Sequence, residues 1–381
     1  MSDPSASSSS SSSSSPKWSS DRFFQTQSPP SNLSELSSAA SEFVQRHIKE
    51  GRRVVLVTSG GTTVPLEKNV VRFLDNFSAG TRGATSAEYF LSAGYAVIFM
   101  SRQHSLAPYT RHYSHTTNPF LDLLADPATH VHTDSAASES GEDDITVLKQ
   151  HVAHLRPILS AYHHARTSGL LHTVPFVTVN DYLWLLREMS RVMQPLGRNG
   201  MYYLAAAVSD FFIPSTNVPE HKIQSGKGSL VIEMDQVPKV LKPMVEQWVP
   251  EGYLVSFKLE TDPQLLIPKA VGALQRYGHQ LVIGNDLNRR KFEVVFVERK
   301  SSNVAPSTQR PSDAISVDGE DFTATWMRLA ADASGSTLGT AEGGGGKGGE
   351  RELEEDIIRE LCSRHEQWIA KSSSAGAASR I

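Results

Sequence analysis

The chain has 381 residues, with 37 basic and 41 acidic side chains, a formal net charge of −4 and a single cysteine, Cys362. Near-balanced charge excludes a global field that recruits nucleic acid or a membrane surface, and one cysteine excludes both an internal disulfide framework and a cysteine zinc cluster and fits a reducing compartment. With no run of about eighteen apolar residues to span a bilayer and no basic, apolar leader at its start, the sequence predicts a soluble, cytoplasmic protein.

The serine run from Ser7 to Ser15, with Pro4, Pro16, Pro29 and Pro30, predicts a disordered tail over residues 1–31, because such a stretch buries too little apolar area to offset chain entropy. Leu33, Leu36, Ala40, Phe43, Val44 and Ile48 then share one face at helical spacing, and Gly51 marks the stop. Arg53 to Val57 reads as a buried parallel strand, Gly83 to Ala93 as a helix and Tyr95 to Met100 as the next strand. About twenty residues separate Thr58 from Gly80, where a crossover loop ordinarily takes roughly two to six. The loop offers Ser59, Gly60, Gly61 and Thr62, then Arg72, Asn76, Ser78, Gly80 and Gly83 at the mouth of the helix. Small residues let backbone N–H groups approach phosphate oxygens and the helix dipole favours negative charge, so a nucleotide site is one reading; a loop that merely packs over the sheet is the other.

Periodicity fades over residues 103–171, which read as an insertion with an acidic patch at Glu139, Glu142, Asp143 and Asp144 and one helix from Ile145 to about His164, kinked at Pro157. The fourteen histidines are scattered, and no metal site is predicted. Order returns at Phe176 to Val179, and Asn180 or Asp181 can cap a helix carrying Leu183, Leu186, Met189 and Met193. Tyr202 to Val208 reads as a buried strand whose small residues Ala205, Ala206 and Ala207 leave room for a ligand at its end. Asp210 there either orients a ligand or caps a turn, and Lys222, ahead of Gly226 and Gly228, is either a lid lysine or an exposed turn lysine. A helix over Val237 to Trp248, a strand from Tyr253 to Leu259, a helix capped by Asp262, a strand from Gln280 to Gly284 ending at Asn285 and a last strand from Phe292 to Val297 complete the alternation. A glycine-rich linker over 330–350 leads to a helix over 351–371 and a disordered tail over 372–381. The pattern predicts a single α/β domain over 32–371: a Rossmann-like three-layer fold with a largely parallel central sheet. Strand ends at Ser59, Ala207, Phe257 and Asn285 would then share one edge and line one crevice.

The motifs TSGGT with FLDNFSAGTRG, AAAVSDFFIP, PEHKIQS, SFKLETD and the late Asn285 occur in the order found in phosphopantothenate-cysteine ligases, and the chain resembles that family from about Asn32 to Val297 and again in the last helix. It lacks the flavin-dependent decarboxylase domain fused ahead of most bacterial members, so it is similar to the free-standing eukaryotic form, which uses ATP where bacterial relatives use CTP. The resemblance implies joining of 4'-phosphopantothenate to L-cysteine through an acyl-adenylate on the way to coenzyme A, by a homodimer. It implies that Gly60, Ser78, Gly80, Gly83, Phe257 and Asn285 contact the nucleotide. It further implies that Arg72, Asn76, Ala206, Ala207 and Asp210 form the phosphopantothenate pocket, with Asn76 at the activated acyl group, and that Lys222 belongs to a flexible flap. Bacterial members carry further lysines where this chain has Gln224 and Ser225, so triphosphate contacts are not carried past Lys222. Magnesium is implied as an ion carried by the nucleotide. Two other classes compete: an NADP-dependent oxidoreductase, with Arg102 after the second strand facing a 2'-phosphate, and a catalytically inactive binding protein on the same fold.

Overall fold

The computed structural model of the protein describes residues 18–113, 119–125, 145–224, 228–299, 313–317, 320–329 and 351–378. In chain order these form α1 (Ser20–Thr26), α2 (Leu33–Lys49), β1 (Val54–Ser59), β2 (Thr63–Pro65), β3 (Phe73–Asp75), α3 (Thr81–Ser92) and β4 (Ala96–Arg102). Next come β5 (Leu124–Ala125), β6 (Thr146–Val147), α4 (Lys149–Thr167), β7 (Leu171–Phe176), α5 (Val179–Met193), β8 (Gly200–Leu204), β9 (Phe211–Phe212) and β10 (Asp235–Gln236). The remainder is α6 (Leu241–Pro243), which runs into a π-helical turn at Met244–Trp248, then β11 (Tyr253–Glu260), α7 (Pro263–Tyr277), β12 (Leu281–Asp286), β13 (Glu293–Arg299), β14 (Asp313–Val317), β15 (Glu320–Arg328) and α8 (Leu353–Ala378).

Among the described residues nine strands form one sheet in the order β14-β15-β13-β12-β11-β8-β1-β4-β7. The six from β7 across to β12 run parallel, and β13, β15 and β14 add antiparallel pairings at one edge. Residues along β1 alternate between the two faces. Val54 and Leu56 join the core beneath α2 and α5, whereas Val55 and Val57 join that of α3 and α8, with Phe90, Ile357 and Leu361. All six residues of β1 are buried because the strand is sealed on both faces, which is why Val54 to Val57 are apolar without alternation; Thr58 and Ser59 are the polar pair at its carboxyl end. On the extension of the sheet, Val282 and Val295 pack under Leu266 and Leu274 of α7. This is the three-layer Rossmann-like arrangement expected.

Order in the chain and order in the sheet part company at β1. The chain steps outward from β1 to β4 and β7, then returns to lay β8 on the other side of β1. The carboxyl ends of β1 and β8 therefore flank a topological switch point, where the connecting loops diverge and leave a crevice.

The structure corrects several expectations. The ordered chain does not begin at Asn32: Trp18 and α1 are folded onto the body, with Phe23 fully buried and set edge-on against Phe24 and Phe212. The Trp18 indole N–H donates to Asp235 at 3.0 Å, and the Gln27 amide oxygen accepts from the Ser215 N–H at 3.0 Å. Averaged composition hid three aromatic anchors in a polar segment; residues 1–17 lie outside the described residues. The cap of α5 is Thr178, whose hydroxyl accepts from the Asp181 N–H while the Asp181 carboxylate accepts from the Thr178 N–H, a reciprocal capping box. The insertion, whose structure the sequence left open, joins the core where β7 begins at Leu171 and pairs with β4, and where Arg111 bridges Glu88 of α3 and Glu352 beside α8. The hairpin of β14 and β15 was not foreseen, and α8 continues past 371 to Ala378. The linker over 330–350 lies outside the described residues.

Candidate active site at the switch point

The crevice is built by continuing the pairing of β1 and β8 past the ends of both strands. The Ala207 N–H donates to the Gly60 carbonyl at 2.8 Å, the Thr62 N–H to the Ala207 carbonyl at 3.0 Å, and the Ala206 N–H to the Thr58 hydroxyl at 3.2 Å. Thr62, fully buried, is the hub: its carbonyl accepts from the Asn76 N–H at 3.1 Å and its hydroxyl from the Ser209 N–H at 3.0 Å. These bonds bring Gly60, Asn76, Ala206 and Ala207 together, although about 130 residues separate the two halves.

Within the long loop, β2 and β3 pair as a small hairpin, so most of its length is structured before α3 starts. Gly80 caps α3 with φ of +84°, a left-handed conformation that costs a side-chain-bearing residue energy, and its carbonyl accepts from the Ser59 hydroxyl at 3.0 Å. Ser78 is half-buried and its hydroxyl accepts from the Gly80 N–H at 3.4 Å. Gly83 is buried with its α-carbon over Ser59, where a β-carbon would stand 2.4 Å from the hydroxyl oxygen. Its direct neighbour is thus β1, and it lets the helix N-terminus lie close to the strand end. Ser105, just after β4, closes the other side of the turn; a β-carbon on Gly60 would meet its hydroxyl at 2.5 Å.

Phe257 and Asn285 come from β11 and β12. Phe257 is half-buried and meets Tyr203 edge-on at 5.0 Å. Asn285 is only 7% exposed, yet its side-chain oxygen is buried without a hydrogen-bond partner among the described residues. Buried polar atoms are nearly always paired, so this orphan acceptor, which unlike most others of its kind in the described residues lies at the open edge of the parallel sheet, is a candidate ligand contact. From β1 to β12 is three strand spacings, or about 14 Å at roughly 4.8 Å each, a span that an extended nucleotide can bridge.

Arg72 and Lys222 are held by contacts that the sequence does not show. Arg72 forms an ion pair at 2.6 Å with Glu67, a fully buried carboxylate that sequence reading passed over. Lys222 is exposed, but the segment leading to it is docked: the Lys68 N–H donates to the Pro219 carbonyl at 2.9 Å and the Asn69 N–H to the Glu220 carbonyl at 3.2 Å. The resemblance implies a flexible flap here, and these docking contacts are polar, so they leave no periodic trace in the sequence. Residues 225–227 lie outside the described residues. Asp210 is exposed and pairs with Lys239 at 3.3 Å, a second lysine at this edge that its surroundings in sequence did not single out. Arg102 is in an ion pair with Asp75 at 2.5 Å rather than open to a 2'-phosphate. Among the described residues no group of three or more His, Cys, Asp or Glu side chains could hold a metal ion, and no helix is long and apolar enough to cross a membrane.

A glycine turn and a helix N-terminus at the switch point, with an orphan amide three strands along the same edge, make this an α/β protein with a candidate crevice of the kind that suits an anionic, nucleotide-like molecule. The family model described as "DNA/pantothenate metabolism flavoprotein C-terminal domain" matches residues 174–311. Phosphopantothenate–cysteine ligase CAB2 of Saccharomyces cerevisiae is 39% identical over 373 residues, covering 92% of this chain and 87% of the relative. The phosphopantothenate–cysteine ligase of Homo sapiens is 44% identical over 272 residues, covering 71% and 84%. A solved structure of a Cab2 variant in complex with phosphopantothenate-cysteine superposes with a TM-score of 0.72 at 38% identity, covering 93% of this chain and 99% of that one. The chain belongs to the phosphopantothenate–cysteine ligase family.

Proposed function

We propose that the protein joins 4'-phosphopantothenate to L-cysteine in coenzyme A biosynthesis, with ATP as the activating co-substrate. The observation that carries this reading, beyond family membership, is the convergence of Gly60, Asn76, Ala206 and Ala207 through Thr62 at the switch point, with the orphan amide of Asn285 on the same edge. A carboxylate does not acylate an amine at neutral pH. In the proposed reaction the phosphopantothenate carboxylate attacks the α-phosphorus of ATP, forming the acyl-adenylate and releasing pyrophosphate; the cysteine amine then attacks the acyl carbon and AMP leaves. Both steps gather negative charge on phosphoryl or acyl oxygens, so fixed donors and cations, together with positioning, supply most of the rate.

In this reading Gly60, Ser78, Gly80 and Gly83 shape the phosphate end of the nucleotide site. Phe257 and the Asn285 amide oxygen meet its base and sugar end. The Asn76 amide donates to the acyl oxygen, Arg72, Ala206, Ala207 and Asp210 hold phosphopantothenate, and Lys222 neutralises the developing charge. Mg2+ enters on the triphosphate and is held by phosphate oxygens and water. A homodimer is proposed as the working assembly, supported by the exposed Val70, Val71, Phe73, Leu74 and Phe77 on and beside β3. A cytoplasmic setting is proposed from the single cysteine.

The decisive experiment is pyrophosphate release from ATP with 4'-phosphopantothenate, with and without cysteine. Release that needs phosphopantothenate, and AMP formation that needs cysteine as well, is the expected result; saturable NADPH binding with no turnover of ATP would overturn the reading. A monomer mass in solution at assay concentration would refute the dimer.

A further inference from the structure

Glu67 lies between β2 and β3, with its side chain at 0% exposure, and four N–H donors converge on it. Oε1 accepts from Arg72 Nε at 3.0 Å, from Arg72 Nη2 at 2.6 Å and from the Ile223 N–H at 3.3 Å, while Oε2 accepts from the Arg72 N–H at 3.1 Å. Arg72 Nη2 also donates to the Ile223 carbonyl at 2.8 Å, so the ion pair engages both backbone polar groups of the residue that follows Lys222. Burial acts to raise the Glu67 carboxyl, but the Arg72 guanidinium and the Ile223 and Arg72 N–H groups outweigh it and hold the carboxyl below the ordinary range.

A guanidinium carries five N–H donors in a rigid fork. Here Nε and Nη2 are committed to Glu67 and Ile223, whereas Nη1 has no partner among the described residues, and the side chain is 38% exposed. The buried carboxylate and the Ile223 carbonyl thus take Nε and both hydrogens of Nη2 and leave Nη1 open. An arginine held this way offers Nη1 to an anion without first losing rotamer freedom, which favours an oriented phosphate or carboxylate contact.

We propose that Glu67 is the positioning residue of the substrate pocket, aiming the open Nη1 of Arg72 and, through Ile223, fixing the stem of the segment that carries Lys222. The inference rests on the reading of Arg72 as a phosphopantothenate contact and adds that one buried carboxylate sets both cations. Its reach across 156 residues of sequence explains how a loop near β1 and a loop after β8 act on one substrate.

The test uses the full chain with Glu67→Gln, Arg72→Gln and the double variant. Glutamine keeps the size of Glu67 but replaces one acceptor oxygen with a donor and removes the charge. The expected result for Glu67→Gln is a KM for 4'-phosphopantothenate raised about 10-fold or more, a KM for ATP within about 2-fold, and amide hydrogen exchange over 219–224 faster by about 10-fold. If Glu67 acts through Arg72, adding Glu67→Gln to Arg72→Gln should change the phosphopantothenate KM by less than about 2-fold further. Multiplicative losses in the double variant, unchanged exchange over 219–224, or equal rises in both KM values with a collapsed melting temperature would each overturn the inference. Should Glu67→Gln not fold, Glu67→Asp, which keeps the charge one methylene short, must give the same pattern at reduced size. An Arg72→Gln enzyme with normal phosphopantothenate KM would refute the substrate contact itself, and the exchange rate at Ile223 would still decide whether Glu67 holds the segment.

Discussion

Gly83→Ala tests how the nucleotide end of the site is built. The added β-carbon would stand 2.4 Å from the Ser59 hydroxyl oxygen, 2.5 Å from its β-carbon and 3.2 Å from its α-carbon. The hydroxyl can rotate, but the other two atoms belong to a strand paired on both sides, so α3 must retreat by roughly 1 Å to restore ordinary contact. Two effects compete. Alanine gains about 1 kcal/mol of helix propensity over glycine, whereas overpacking a closed contact costs about 1 to 3 kcal/mol, and displacement of the Gly80 carbonyl strains its bond from Ser59. The clash should win by about 1 to 2 kcal/mol, lowering Tm by about 2 to 6 °C. Because the retreat carries the N-terminus of α3 away from the crevice, ATP affinity should fall by more than stability alone explains, about 10-fold, measured by calorimetric titration on folded protein. Ser59→Gly removes two of the three opposing atoms, so the double variant should regain part of the ATP affinity. An alanine enzyme with wild-type Tm and wild-type ATP affinity would refute the reasoning.

Asn76→Asp should still form acyl-adenylate but pass it poorly to cysteine, because a carboxylate only accepts and repels the adenylate phosphate; accumulation of intermediate in quenched-flow samples checks this. Lys222→Gln should lower turnover about 100- to 1000-fold, equivalent to about 3 to 4 kcal/mol of transition-state stabilisation, while Tm stays within about 1 °C, since the side chain is exposed; near-normal turnover at saturating substrates would mark it as an ordinary turn lysine. Asn285→Leu removes the orphan acceptor and should weaken ATP binding about 10-fold or more without loss of Tm, so unchanged ATP binding would separate Asn285 from the site. Burial pushes His279 and His365 down to about 4, the latter against its bond to the Arg198 carbonyl, which acts to raise it. Both pKa values lie below the unfolded value near 6.5, so the stability these neutral rings contribute is complete above about pH 6.5 and is lost as pH falls toward 4, by up to about 3 kcal/mol for each. Calorimetric Tm should therefore drop between pH 7 and 4.5, and a flat profile would contradict it.

The sequence alone determined the alternation of elements and the material of the site. Val54 to Val57 read as buried because a parallel strand covered on both faces has no polar side to show, and Gly60 and Ala206 with Ala207 sat just past the ends of β1 and β8 because only there does a parallel sheet leave its edge open, whereas Asn76 lay in the long loop that returns over that edge. Asp262 was legible as a helix cap because capping is local, and it accepts from the Gln264 N–H at 2.9 Å. What only the tertiary structure decided is which strands are neighbours and which polar groups are partners. Periodicity reports that a face is buried, not what covers it, so the return of β8 to the side of β1, and with it the switch point, had to be seen. The packing of Phe23 against Phe212 could not be inferred from a serine- and proline-rich start whose average looked too polar to fold. Glu67 was the costliest omission, for a physical reason: a carboxylate in a polar loop reads as solvated until Arg72 and Ile223, the latter 156 residues away, are found closed around it.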